Sequence, residues 1–211
     1  MQYQTSPQLT QTHTSHDTNE VTLIGTVHTE PSPTGDFHLS VKRLSGMADI
    51  IPITLSEEAN TFSPPVTQGA TVEIRGHFHS YNKIVGDRSK LMLTVYAREI
   101  LETDDQTAAN PNNIEMTGYI CKAPIYRTTP FNREIADLLI AVNRTVNKSE
   151  YIPAIAWGRN ARFAKNLLIG ERVHISGRIQ SREYQKRFDD GTIETRTAYE
   201  VSVCNLMRAE S

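Results

Sequence analysis

Residues 182–188 place aromatic rings among positive charges. The rings are Tyr184 and Phe188, and the cations are Arg182, Lys186 and Arg187. Rings of this kind can stack on nucleic-acid bases while neighbouring cations contact phosphates, a combination that suits a single strand. The segment falls in a predicted hairpin, just beyond a strand that ends at Arg182. A solvated basic hairpin tip is the alternative interpretation.

Trp157 is the single tryptophan of the chain. It follows an apolar run, residues 152–156, and precedes Gly158 and Arg159, an unusual place to bury a large ring. We therefore expect an exposed platform for a base, with a core tryptophan as the alternative. Tyr151, at the start of the same strand, is expected either to stack on a base or to cap the barrel. Two further candidates, in a predicted loop, are Tyr126 and Arg127. The candidate phosphate contacts are Arg144, Lys148, Arg159, Arg162, Arg178, Arg182 and Lys186.

The sequence predicts no metal site, no cofactor and no catalysis. His77 and His79 alternate and can face one side of a strand, but no Cys, Asp or Glu at ligand spacing joins them. The two cysteines, Cys121 and Cys204, lie far apart and outside any CxxC pattern, which argues against a disulfide scaffold and a structural zinc. No nucleophile elbow, HExxH motif, P-loop or carboxylate cluster is found. The chain is therefore expected not to be an enzyme.

An ordered series of internal matches indicates a diverged duplication. Residues 19–25 match residues 112–118, and residues 69–76 match residues 170–177. The later matches share an offset of 101 positions between the copies. A single match can arise by chance, whereas an ordered series points to two copies of one fold.

Each copy is rich in strand patterns. Apolar residues alternate before a glycine, as in Val72, Ile74 and Gly76, and this period of two marks half-buried strands. A short helix is predicted before Gly69 and another before Gly170. About five strands with a helix before the fourth favour a closed Greek-key barrel of the OB-fold type. The predicted fold is all-β with short helices: two tandem OB-fold five-stranded Greek-key barrels.

The predicted organisation has four parts. Residues 1–18 form a disordered arm, 19–102 a first barrel, 103–111 a polar linker and 112–208 a second barrel. The net charge of −2 conceals a split, because residues 112–208 carry +5 and residues 19–102 carry −3. The second barrel is therefore the predicted nucleic-acid face. No apolar run is long enough to cross a bilayer and no leader is recognised, so we expect a cytosolic, nucleoid-associated protein.

The second copy resembles the bacterial single-stranded DNA-binding protein family. The residues that carry the resemblance are 112–120, 123–130, 139–143, 151–158, 177–184 and 199–203. The resemblance is specific in order and spacing and covers nearly the whole second copy. It implies an OB-fold, usually assembled as four barrels, with single strands wrapped over aromatic and basic residues.

At the positions of the family's base-stacking rings, this chain has Tyr151, Trp157 and Tyr184. The corresponding residues of the first copy, at an offset of 101, are Ile50, Ser56 and Lys83, none of them aromatic. Family members usually end in an acidic tail with an apolar tip that recruits replication and repair proteins. This sequence stops just after the last predicted strand, so the recruiting tail is expected to be absent.

The resemblance therefore implies sequence-independent binding of single-stranded DNA, protecting or organising it in replication, recombination or repair. Because the chain carries two barrels and the family assembles four, a homodimer is expected. The alternative is an OB-fold assembly or accessory protein of the primosomal or recombination type, with little DNA binding of its own. The acidic first copy fits this alternative better than it fits DNA binding.

Overall fold

The computed structural model describes residues 17–57, 59, 66–86, 88–103, 110–144, 148–188 and 190–210. Strands dominate these residues, as the period-two patterns predict. Among the described residues, no helix has the length and apolar character needed to cross a membrane.

The first half of the chain forms five strands that close on themselves. They are β1 (Asn19–Val27), β2 (Asp36–Lys42), β3 (Ala48–Leu55), β4 (Thr71–Val85) and β5 (Arg88–Glu102). β1 pairs antiparallel with both β2 and β4; β2 pairs with β3, β4 pairs with β5, and a parallel β3–β5 pair completes the ring. Inward positions such as Leu23, Leu39 and Ile51 are fully buried. The alternation in the sequence thus becomes the inside and outside of a barrel.

The second half repeats this arrangement. Its elements are β6 (Asn112–Ile120), β7 (Ile125–Thr128), β8 (Glu134–Asn143), β9 (Ser149–Trp157), α1 (Arg159–Ala164), β10 (Arg172–Arg187) and β11 (Ile193–Arg208). β6, β8, β9, β11 and β10 form the ring, again with one parallel pair, β9–β11. β7 adds a short hairpin strand to β8. Two five-stranded Greek-key barrels in tandem confirm the predicted OB-fold class.

The glycines that repeat at the strand bends are required by close backbone approach. The β4–β5 register shifts at Gly76, and the β10–β11 register shifts at Gly177. A Cβ added at Gly76 would lie 2.1 Å from the carbonyl oxygen of Tyr96, and one at Gly177 would lie 2.4 Å from that of Ser202. Both glycines therefore allow a bulge at which the long strands bend from one side of the barrel to the next.

The two barrels share one continuous sheet. β1 pairs antiparallel with β6, with Val21 opposite Ile114, so that eleven strands form a single hydrogen-bonded series. A repeated asparagine supports each barrel where these strands begin. The Asn19 side chain donates to the carbonyl of Phe78 and accepts from its amide, both at 2.9 Å. Asn112 does the same with Ile179, at 2.7 Å and 2.8 Å.

Two local expectations differ from the structure, and a third is largely untested. The helix before Gly170 ends at Ala164, short of the expected Leu168, because Leu168 and Ile169 are exposed and Gly170 reverses the chain with a φ of +87°. For the helix before Gly69, residues 57 and 59 are helical, and the rest of that prediction lies largely outside the described residues. β10 continues to Arg187, so Tyr184 lies within a strand, because β11 pairs with β10 along its whole length.

The predicted arm and linker lie mostly outside the described residues. The arm's last residues, Asp17 and Thr18, contact the second barrel. Asp17 Oδ1 accepts a hydrogen bond from Arg172 at 3.2 Å, and the Thr18 hydroxyl donates to that of Thr117 at 3.0 Å. Residues 104–109 of the linker are outside the described part.

Candidate nucleic-acid interface

The three rings singled out in the second barrel all lie on its outer surface. Tyr151 is 44% exposed, Trp157 37% and Tyr184 38%. In β9 the even-numbered residues from Glu150 to Ala156 are buried, which turns Tyr151 and Trp157 outward. A ring that is more than one-third exposed can offer a face to a base, and this favours the stacking interpretation of Trp157 over the core interpretation.

The long β10–β11 hairpin combines rings and cations across its two strands. Tyr184 lies opposite Arg196, and the Arg182 guanidinium carbon lies 5.9 Å from the centre of the Tyr184 ring. Phe188 is approached by Lys186 Nζ at 5.2 Å and by the Arg196 guanidinium carbon at 5.5 Å. Arg196 was missed from the sequence because it belongs to the opposite strand. The hairpin register is the information that identifies it.

Several of the arginines predicted to bind DNA are engaged by carboxylates of the chain itself. Arg178 Nη1 lies 3.0 Å from Asp49, Arg144 Nη1 lies 3.0 Å from Glu150, and Arg127 lies 3.0 Å from Asp137. Arg162 pairs with Glu134. Each of these arginines must break its ion pair, or contact the carboxylate and a phosphate at the same time, in order to bind DNA.

Arg182, Lys148 and Arg159 are less constrained. Arg182 has one long contact, 3.5 Å to Glu200, beside its position over Tyr184. Lys148 and Arg159 are exposed and form no ion pair with any residue in the described part of the chain. Arg159 begins α1, two residues after Trp157. It is therefore a cation available for phosphate beside a predicted stacking ring.

The predicted loop residue Tyr126 lies on β7 and is half-buried against the barrel core. Its hydroxyl donates to the Glu134 carboxylate, which raises the pKa of Tyr126, and Lys165 Nζ lies 5.1 Å from its ring centre. The ring is therefore less accessible than the other three.

Phe131, in the turn between β7 and β8, is 87% exposed. It was not identified from the sequence, because nothing in the sequence around an isolated phenylalanine indicates its exposure.

The structure also brings together a histidine pair and a distant carboxylate. His77 and His79 lie on one face of β4, as predicted, with ring centres 5.9 Å apart. Glu150, from β9, lies 2.8 Å from His79 Nδ1. Burial lowers the pKa of His77 to about 4, with Arg98 and Arg144 adding to the effect, so this imidazole is neutral near pH 7. Sequence spacing gave no reason to join Glu150 to these histidines.

Residues 111–208 match the family described as "Single-strand binding protein family". Among curated proteins, the single-stranded DNA-binding protein of Clostridium tetani is 32% identical over 88 residues, which cover 38% of this chain and 59% of that protein. Single-stranded DNA-binding protein 1 of Staphylococcus aureus is 32% identical over 83 residues, covering 36% of this chain and 50% of that protein. The matched region thus spans about half the length of these relatives.

The solved structure of wild-type single-stranded DNA binding protein from Thermus aquaticus superimposes with a TM-score of 0.71. The match covers 93% of this chain and 95% of that chain at 20% sequence identity. A deletion mutant of the same protein gives a TM-score of 0.70 at 21% identity. At this identity the likeness concerns the fold, and it extends over both barrels.

Proposed function

We propose that this chain, whose residues 111–208 match the single-strand binding protein family, binds single-stranded DNA without sequence preference. It would protect or organise exposed single strands in the cytosol during replication, recombination or repair. Its relatives are named as DNA-binding proteins, which agrees with the expectation that the chain is not an enzyme.

The observation that carries this proposal is the outward position of Tyr151, Trp157 and Tyr184 on one basic barrel. Stacking contributes about 1–3 kcal/mol per base, so three rings supply several kcal/mol before any phosphate contact. Arg159 and Lys148 are exposed cations near β9, and Arg182 lies over the Tyr184 ring. Stacking and phosphate contacts of this kind do not depend on base identity.

We assign a weaker DNA role to the first barrel. Its residue at the Trp157 position, Ser56, is buried and accepts a hydrogen bond from the amide of Ala59 at 3.0 Å. Among the described residues of this barrel, the exposed aromatic ring is Tyr81, which stacks on His79 with 5.7 Å between ring centres. At the other two stacking positions the first barrel has Ile50 and Lys83, which are not aromatic. It therefore offers fewer platforms than the three rings of the second barrel.

A titration with poly-dT tests the proposal. Fluorescence of Trp157 should change on binding, and log affinity should fall linearly with log salt, with a slope of about −0.7 for each phosphate neutralised. Duplex DNA of the same length is the control. Equal affinity for the duplex and the single strand would contradict the proposal, and absence of binding would favour an accessory assembly role.

Three alanine variants test the difference between the barrels. Trp157→Ala and Tyr184→Ala should each weaken binding to a labelled dT oligonucleotide by about 1–3 kcal/mol, or about 5- to 150-fold. Tyr81→Ala should have a smaller effect. Circular dichroism of each variant checks that it is folded. An equal loss with Tyr81→Ala would mean that both barrels bind DNA.

We also propose that two chains associate. The support is the family resemblance, which implies four barrels, together with the two barrels of this chain. Light scattering at micromolar concentration should give twice the chain mass of 23.7 kDa. A mass equal to that of one chain would contradict the proposed association of two chains.

A further inference from the structure

Two contacts between the barrels are related by the duplication. In one, the amide of Ser181 donates to Asp49 Oδ1 at 2.8 Å. In the other, the amide of Ser80 donates to Glu150 Oε2 at 2.5 Å. Both pairs obey the offset of 101, so each barrel holds a buried carboxylate of its neighbour in the same way.

The Asp49 contact contains two guanidinium groups. Arg43 Nε lies 2.7 Å from Asp49 Oδ2, and Arg178 Nη1 lies 3.0 Å from the same oxygen. Arg178 also donates to Gln180 Oε1 at 3.1 Å. The second guanidinium thus joins positions 178 and 180 of β10 to the carboxylate and supplies positive charge at a buried site.

The Glu150 contact keeps the first arginine and lacks the second. Arg144, at the position of Arg43, lies 3.0 Å from Glu150 Oε1. The positions of Arg178 and Gln180 are occupied by His77 and His79. His79 reaches the carboxylate at 2.8 Å, whereas His77 ends short of it. The Arg178 guanidinium, which contacts both Asp49 and Gln180, therefore has no counterpart at Glu150.

His77 is buried without a hydrogen bond. Its side chain is 7% exposed, and neither ring nitrogen has a partner within the described part of the chain. Buried polar atoms are nearly always paired, and an unpaired one costs about 1–3 kcal/mol. A buried imidazole with two unpartnered nitrogens, close to a histidine and a carboxylate, is therefore a candidate ligand.

We propose that His77, His79 and Glu150 form a binding site for a divalent transition-metal ion, with Zn²⁺ as its natural occupant. One ligand atom from each residue lies within 4.8 Å of the other two. Zinc–ligand bonds are about 2.0–2.2 Å long, which places tetrahedral ligand atoms about 3.4 Å apart. Side-chain rotations that move the ligand atoms by about 1 Å bring them to this spacing. Two imidazoles and one carboxylate are a donor set that zinc accepts, with water as the fourth ligand.

The Glu150 carboxylate and an open access route suit a cation at this point. The ion would supply the positive charge that Arg178 supplies at Asp49, and it would likewise join the two β4 positions to the carboxylate of the other barrel. An open cavity of about 760 Å³ includes His77 and Glu150 in its lining and provides entry for the ion and its water. Arg98 and Arg144 also line this cavity and oppose the ion. Arg144 is solvent-exposed and can turn away from Glu150.

Metal titration of the full chain without DNA tests this proposal independently of the DNA-binding one. Calorimetric titration with Zn²⁺ should show one saturable site per chain, and Co²⁺ should give the visible absorbance of a tetrahedral complex. His77→Phe keeps a ring of similar size and removes both nitrogens. It should weaken Zn²⁺ binding by at least about 100-fold, since loss of an outer-shell partner alone costs about 10–100-fold.

Three control variants exclude other histidines: His174→Gln, which removes a surface pair with Glu115, and the double variants His28→Gln/His38→Gln and His13→Gln/His16→Gln. All three should keep the site. Zn²⁺ should raise the melting temperature of the wild type and of the controls, and leave that of His77→Phe unchanged. Absence of saturable Zn²⁺ binding, or equal binding by His77→Phe, would overturn the proposal.

Discussion

The contact at Asp49 should contribute strongly to stability, and Asp49→Ala measures that contribution. The Asp49 side chain is fully buried and accepts hydrogen bonds from Arg43 at 2.7 Å, Arg178 at 3.0 Å and the amide of Ser181 at 2.8 Å. Removal of one partner from a buried ion pair costs about 3–5 kcal/mol, because the remaining charge loses its compensation. Here the two arginine side chains are 24% and 30% exposed and can recover some hydration. We therefore expect the lower end of the range, about 3 kcal/mol.

Asp137→Ala is the matched control. Asp137 also accepts two hydrogen bonds from one arginine, Arg127, at 3.0 Å and 3.3 Å, but its side chain is 38% exposed. Exposed pairs of this kind contribute about 0–1 kcal/mol, since water and salt screen them. The two variants therefore compare a similar contact geometry in a buried and in an exposed environment.

Urea unfolding followed by circular dichroism is the assay, because urea, unlike guanidinium chloride, adds no salt. With a slope of about 2–3 kcal/mol per molar, a loss of about 3 kcal/mol moves the midpoint by about 1–1.5 M. The midpoint of Asp137→Ala should move by less than about 0.5 M. Equal shifts for the two variants, or no shift for Asp49→Ala, would refute the assignment of Asp49 as a buried link between the barrels.

Three further substitutions separate backbone and DNA effects. Gly177→Ala should destabilise the chain by about 3 kcal/mol, the upper end for overpacking, because its Cβ would lie 2.4 Å from the Ser202 carbonyl oxygen; an unchanged urea midpoint would contradict this. Arg159→Ala should lower the magnitude of the salt slope of dT binding by about 0.7, as expected for the loss of one phosphate contact. Arg178→Ala should leave that slope unchanged and lower stability, because Asp49 holds its guanidinium; a smaller slope in this variant would show that Arg178 binds phosphate.

Local sequence patterns were sufficient to predict the two barrels. Alternation of apolar residues identifies a strand because successive side chains point to opposite faces, and the duplication shows that one arrangement of strands occurs twice. Gly76 and Gly177 each stand at the end of an alternating run, a position that suits a bend or bulge of the barrel. The outward position of Trp157 was also predictable, because it ends an apolar run and is followed directly by Gly158 and Arg159.

The same local reasoning misplaced Tyr184 and overlooked Arg196. Apolar alternation weakens beyond Arg182, because the hairpin extends past the barrel and both of its faces are largely solvated. Pairing between β10 and β11 nevertheless continues to Arg187, and it places Arg196 opposite Tyr184. Backbone hydrogen bonds between strands do not depend on an alternation of apolar side chains. The length of this hairpin therefore could not be predicted from the sequence pattern.

The sequence by itself determined two OB-folds, the basic character of the second and the exposure of Trp157, because each depends on residues close together in the chain. The partners of Arg178 and His79 were decided by tertiary structure alone. Arg178 meets Asp49 across 129 positions, and His79 meets Glu150 across 71. These contacts exist because β1 pairs with β6 and brings β3 against β10 and β4 against β9. No local sequence pattern specifies the angle at which the two barrels pack. Only that packing shows which cations face solvent and where a metal ion could bind.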